Sequence, residues 1–127
     1  MSVPKKVLIA EDSSVIQNLT KKILQQQDYE IKSVKNGQEL MKIIESEDFD
    51  VILLDINMPI INGIECAKSI RAMKDPAKAS VPLIAITGNA LNFTVDYFKS
   101  VGFNEYLQKP LNFDLLVDLV RKYTEDK

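Results

Sequence analysis

The stretch Val51-Ile52-Leu53-Leu54-Asp55 decides the fold: four consecutive apolar residues, two of them β-branched, end on an acid. A strand with one wet face alternates apolar and polar residues. An unbroken apolar run of this length reads as a strand buried on both sides, as in a parallel sheet covered by helices on each face. Working outward, runs of the same kind recur at Val7-Leu8-Ile9-Ala10 and Leu83-Ile84-Ala85-Ile86, with shorter ones at Ile31 to Val34 and at Tyr106-Leu107.

Between these runs the apolar spacing changes to that of helices. Val15, Leu19 and Ile23 recur every four residues, and Leu40, Ile43 and Ile44 share one face of the next helix. Ala67, Ile70 and Met73 form a third stripe, and Leu115, Leu116, Leu119 and Val120 a last one. The segment from Asn92 to Val101 is the least regular; Val95, Phe98 and Val101 predict a helix there. Asn36-Gly37 marks a turn before the second helix, and Asn112 is placed to cap the final one. Asp75-Pro76 and Val81-Pro82 bracket a loop before the fourth strand. Strand and helix alternate five times, which predicts one three-layer α/β domain over residues 1–127 with five strands, five helices and right-handed crossovers.

Composition narrows the function. With 16 Lys and Arg against 18 Asp and Glu, the net charge is -2, so no basic excess is present for phosphate-backbone contacts and nucleic acid is not expected as a direct partner. The single Cys66 cannot close an intrachain disulfide, which fits a reducing cytoplasm, and it reads as a small buried apolar side chain. No apolar run approaches the roughly 20 residues of a membrane span. The chain has no histidine. That excludes His-ligated zinc, Ser-His hydrolysis and a phosphohistidine carrier, so any phosphoryl group must reside on another side chain.

The residues able to do chemistry follow the strands. Glu11 and Asp12 come after the first run, Asp55 after the third, Thr87 after the fourth and Lys109 after the fifth. In an open parallel sheet these positions meet at one edge, where ligands bind. Three carboxylates held together repel one another. A divalent cation relieves the repulsion, and oxygen ligands without His or Cys point to Mg²⁺. Asp55 then serves as a nucleophile able to form an aspartyl phosphate. Phosphoryl transfer needs chiefly positioning and charge stabilisation, for which Lys109 supplies a positive charge and Thr87 a hydroxyl.

In this setting the chain resembles the receiver domains of two-component response regulators. The resemblance runs through Glu11-Asp12, Asn36-Gly37-Gln38-Glu39-Leu40, Asp55-Ile56-Asn57-Met58-Pro59 and Gly63, then Pro82 to Gly88 and Gly102 to Leu111. It implies a flavodoxin-like sheet in strand order 2-1-3-4-5. It further implies that Asp55 is phosphorylated by a histidine kinase or a histidine phosphotransfer protein. Asp12, Asp55 and the main-chain carbonyl of Asn57 would hold Mg²⁺ directly, with Glu11 acting through water. Thr87 and Tyr106 would form a switch pair, Thr87 moving onto the phosphoryl group and Tyr106 turning inward. The output surface would be the face of the fourth helix, fifth strand and fifth helix, and the Lys109-Pro110 bond would be cis.

The departures are few. Glu11 stands where Asp is commoner, Gly88 leaves the phosphoryl site open, and Asn57 and Asn89 occupy places that in the family tune how fast the phosphoryl group is lost. A cytoplasmic signalling switch, not an enzyme, is therefore expected, with no DNA-binding or catalytic output segment, since the last helix runs to the end at Lys127. A free-standing regulator and a receiver belonging to a hybrid kinase fit the sequence equally. The alternative is a haloacid-dehalogenase-like phosphatase, which needs a general acid where this chain has Asn57. A flavin carrier of the same topology needs a phosphate loop where this chain has two acids.

Overall fold

The three central strands alternate between two hydrophobic cores. Val7, Ile9, Val51, Leu53, Ile84 and Ile86 enter one core, and Leu8, Ala10, Ile52, Leu54, Leu83 and Ala85 the other, all at most 2% exposed. The computed structural model that shows this describes residues 4–88 and 94–125. The elements, in chain order, are β1 (Lys6–Ala10), α1 (Ser14–Gln25), β2 (Glu30–Val34), α2 (Gly37–Ser46), β3 (Val51–Asp55), α3 (Gly63–Arg71), α4 (Pro76–Ala79), β4 (Leu83–Thr87), α5 (Val95–Val101), β5 (Glu105–Gln108) and α6 (Phe113–Thr124).

All strand pairs are parallel and the order is β2-β1-β3-β4-β5, as expected. Leu24, Leu116 and Val120 of α1 and α6 cover one face of the sheet. Leu40, Ile44, Ile64, Ala67, Ile70 and Phe98 of α2, α3 and α5 cover the other. At roughly 1.5–3 kcal/mol per fully buried large aliphatic side chain, the two cores are the main term holding the layers together. Cys66 lies within the second core, where burial pushes its thiol up to about 11, so it is a packing residue. Asn112 caps α6 as expected, its side chain accepting from the Leu115 amide, and Asn36, read as part of a turn, caps α2 by accepting from the Glu39 amide.

Two expectations need correction. The described residues contain six helices, because the segment read as a loop after Asp75 forms a one-turn helix. Asp75 Oδ1 accepts from the Ala77 amide at 2.9 Å and Pro76 occupies the first turn. An Asp-Pro pair is as much a helix start as a loop boundary. The fourth and fifth helices of the sequence reading are thus α5 and α6. In α1 the buried face is Gln17, Thr20 and Leu24, whereas Val15 and Leu19 are 70% and 46% exposed. The Gln17 amide donates to the carbonyls of Glu11 (3.1 Å) and Val34 (2.9 Å), and Thr20 Oγ1 donates to the Ile16 carbonyl at 2.8 Å. Satisfied in this way, polar side chains take the inner positions and leave an apolar stripe outside. Within the described residues α5 begins at Val95; Asn92, where its prediction began, lies outside them.

Candidate functional site

β1 and β3 are neighbours in the sheet and run in the same direction, so Glu11, Asp12 and Asp55 emerge side by side at one edge. One carboxylate oxygen from each of the three lies within 4.8 Å of the others. Glu11 and Asp55 are each 1% exposed, while Asp12 is exposed. Asp55 closes β3 as its last residue, and Thr87 closes β4; the Thr87 side chain is fully buried. The Lys109 amide donates to the Thr87 carbonyl at 2.8 Å, which ties the end of β5 to that of β4 and brings the fifth predicted residue in. The Lys109-Pro110 peptide bond is cis, as expected.

Lys109 stands over the acids. Its Nζ is 3.2 Å from Glu11 Oε1 and 3.4 Å from Asp55 Oδ2. Asp55 Oδ1 accepts from the Asn57 amide at 3.1 Å, and Glu11 Oε2 accepts from the Ser13 amide at 3.0 Å. Burial and the adjacent Glu11 carboxylate push Asp55 up to about 7, against the pull of Lys109 and the Asn57 amide. Burial works to lower the Lys109 pKa, but Asp55 and Glu11 outweigh it and raise it, so the amine stays charged.

One atom of this cluster lacks a directional partner. Glu11 Oε1 is buried and accepts no hydrogen bond among the described residues, its approach to Lys109 being an ion-pair contact without hydrogen-bond geometry. The Lys109 ammonium offsets part of the cost of burying that charge. Three carboxylates with a spare oxygen and no nitrogen or sulfur donor fit a hard divalent cation such as Mg²⁺.

The remaining predicted residues are distributed as follows. Asn57 is exposed with its amide on Asp55. Tyr106 lies on β5 beside Ala85, 36% exposed, its ring stacked on Phe98 with centroids 5.4 Å apart. Gly88 is exposed, and among the described residues a Cβ there would meet nothing closer than Lys109 Cδ at 4.0 Å. Asn89 lies outside the described residues.

Sequence reasoning left two supports unassigned. Gln17 pins the β1–α1 junction from below through its two carbonyl contacts. Gly63 lets α3 start directly under the acceptor, since a Cβ there would sit 2.4 Å from the Asp55 carbonyl oxygen. A polar residue on an inner helical face and a glycine opening a helix were the available signals.

Comparison with known proteins agrees with this geometry. Residues 7–121 match the response regulator receiver domain, and the chain belongs to that family. It is 27% identical to the polar-differentiation response regulator DivK of Brucella anthropi, with 98% of this chain and 99% of that protein aligned. It is 33% identical to hybrid signal transduction histidine kinase I of Dictyostelium discoideum, covering 98% of this chain but 8% of that protein. The chain therefore spans only a small part of the hybrid kinases it matches. Among solved structures, the receiver domain of the sensor histidine kinase PA1611 from Pseudomonas aeruginosa superposes with a TM-score of 0.85 at 28% identity, covering 95% of this chain and 98% of that one; it carries a magnesium ion in its active-site cleft. Receiver domains are signalling switches, and the acidic pocket fits Mg²⁺ and phosphorylation. The dehalogenase-like alternative finds no support, and Asn57 supplies no acid for it.

Proposed function

We propose that Asp55 accepts a phosphoryl group from a phosphohistidine on a kinase or phosphotransfer protein, and that the phosphorylated chain acts as a switch for a downstream protein. The observation that carries this reading is Lys109, held within 3.4 Å of Asp55 Oδ2 beside a buried acid cluster. The donor's N–P bond breaks with its electron pair left on the imidazole, and a bond forms from an Asp55 carboxylate oxygen to phosphorus. Lys109 holds one phosphoryl oxygen by charge, Thr87 donates its hydroxyl to another, and the Asn57 amide orients the acceptor carboxylate. Asp12, Asp55 and the Asn57 carbonyl would hold Mg²⁺, with Glu11 acting through water. When bound, the ion offsets the negative charge of the carboxylates and of the incoming group.

Movement of Thr87 toward the phosphoryl group would draw Tyr106 inward off Phe98 and alter the α5–β5–α6 face, a shift between two surface states. The domain relays a signal and does not turn over a substrate. The reading places it in the cytoplasm, supported by the buried, unpaired Cys66, and involves no direct contact with nucleic acid or membrane. Phosphoramidate with Mg²⁺ should add one phosphoryl group, and chelation or Asp55→Asn should abolish it. Labelling that persists in the Asn variant would contradict the assignment.

A further inference from the structure

The loop leaving β3 is bent at an unexpected residue. The Ile61 amide donates to the Pro59 carbonyl at 2.9 Å, closing a three-residue γ-turn around Ile60, whose φ is +72°. The positive-φ γ-turn is the rare, strained form. A β-branched side chain is among the least suited to it, whereas Gly or Asn enters that region readily.

The path of the loop is imposed from both ends. The Gly63 amide donates to the Ile56 carbonyl at 2.9 Å, Met58 is buried, and the Ile61 carbonyl oxygen lies 2.1 Å from where a Cβ on Gly37 would be. Nothing in those contacts requires isoleucine at the apex. Ile60 is 70% exposed, so core packing does not compensate for the strain. A single exposed apolar residue is ordinary, but strain at the same residue points to use outside the fold.

We propose that Ile60 is a docking anchor for the phosphohistidine-bearing donor protein; the inference rests on the acceptor reading of Asp55. Asp55 is buried, so a protein that brings phosphorus within bonding distance of it must cover the loops around the site, including the one that runs from Asp55 through Asn57 to Ile60. The opposite rim is also apolar: Ile16, Leu19, Pro110, Leu111 and Phe113 line a groove that reaches Lys109, itself 3.4 Å from Asp55. A donor seated over the acceptor thus meets apolar surface on both sides, with Ile60 the more prominent contact. A downstream target reading the α5–β5–α6 face has no need of this loop.

The test compares Ile60→Asn and Ile60→Leu with the parent chain using two donors. One is phosphoramidate, which is too small to reach Ile60. The other is the phosphorylated kinase or phosphotransfer protein of the same genome that transfers fastest to the parent chain. Ile60→Asn should raise the melting temperature, leave phosphoramidate labelling within about twofold, and lower kcat/KM from the protein donor at least about tenfold, mainly through KM. Ile60→Leu, which keeps the apolar bulk, should retain protein transfer within about twofold. Unchanged protein transfer in Ile60→Asn would overturn the inference and leave the acceptor reading standing. Failure of phosphoramidate to label the parent chain would instead overturn the acceptor reading and this inference with it.

Discussion

Lys109 Nζ stands 3.4 Å from Asp55 Oδ2, joining the end of β5 to the end of β3 across the intervening strand β4. The contact places a positive charge beside the one buried carboxylate that ends a central strand, and the cis Lys109-Pro110 bond follows directly after it. Because the same amine approaches Glu11 Oε1 at 3.2 Å, it serves two buried acids at once.

Replacing Lys109 with Ala removes the cation from both. Phosphorylation by phosphoramidate is expected to slow by about 10²-fold, the usual cost of deleting a preorganised charge-stabilising group. The metal-free protein should also melt at lower temperature, since Glu11 and Asp55 are left buried without a counter-charge. Equal labelling rates in variant and parent would remove Lys109 from the site.

Asp55→Asn is expected to act in the opposite sense on stability. Burial and Glu11 both disfavour the Asp55 charge, and an Asn side chain still accepts the Asn57 amide bond. Chemical denaturation in the presence of a chelator should show a gain of about 1–2 kcal/mol. Saturating Mg²⁺ should then stabilise the parent more than the variant, narrowing the gap.

The third expectation lies away from the site. Burial tends to raise the Glu105 pKa, but the Tyr123 hydroxyl at 2.6 Å and Lys122 at 3.0 Å outweigh it and hold the carboxyl below its ordinary value. Burial and Glu105 push Tyr123 up to about 12, so the phenol stays a donor. A lowered folded-state pKa stabilises fully above the unfolded value of about 4.3, and the contribution is lost as pH falls through the folded value. Tyr123→Phe should therefore cost about 1–2 kcal/mol at pH 7, and the difference from the parent should shrink below about pH 4. A pH-independent difference in urea melts would contradict the coupling.

Gly63→Ala tests how the fold sets the acceptor. The added Cβ would lie 2.4 Å from the Asp55 carbonyl oxygen and 2.8 Å from Ile56 Cα, both backbone atoms that yield little. A loss of about 2–3 kcal/mol is expected, together with slower labelling of the folded fraction because β3 must shift. Unimpaired labelling at full occupancy of the folded state would show that Asp55 tolerates that displacement.

Much of this was legible in the residues. Unbroken apolar runs such as Val51 to Leu54 announce strands covered on both faces, and the acids that end them fall together once those strands are parallel. The α1 face was not legible from hydropathy, because Gln17 and Thr20 are buried by hydrogen bonds to backbone carbonyls, a satisfaction that apolar spacing does not register. Helix α4 was hidden because Asp75-Pro76 serves equally as a cap and as a loop boundary. Ile60 was the least legible, since its residue type argues against the backbone conformation it adopts.

The central claim is that Asp55 carries the phosphoryl group. Borohydride reduction of the phosphoramidate-treated chain, followed by peptide sequencing in the mass spectrometer, tests it most directly. An aspartyl phosphate is reduced to homoserine, so the peptide spanning β3 should show homoserine at position 55 only when Mg²⁺ was present. Homoserine at position 12, the reduced form of a modified Glu11, or no reduced residue at all would contradict the account.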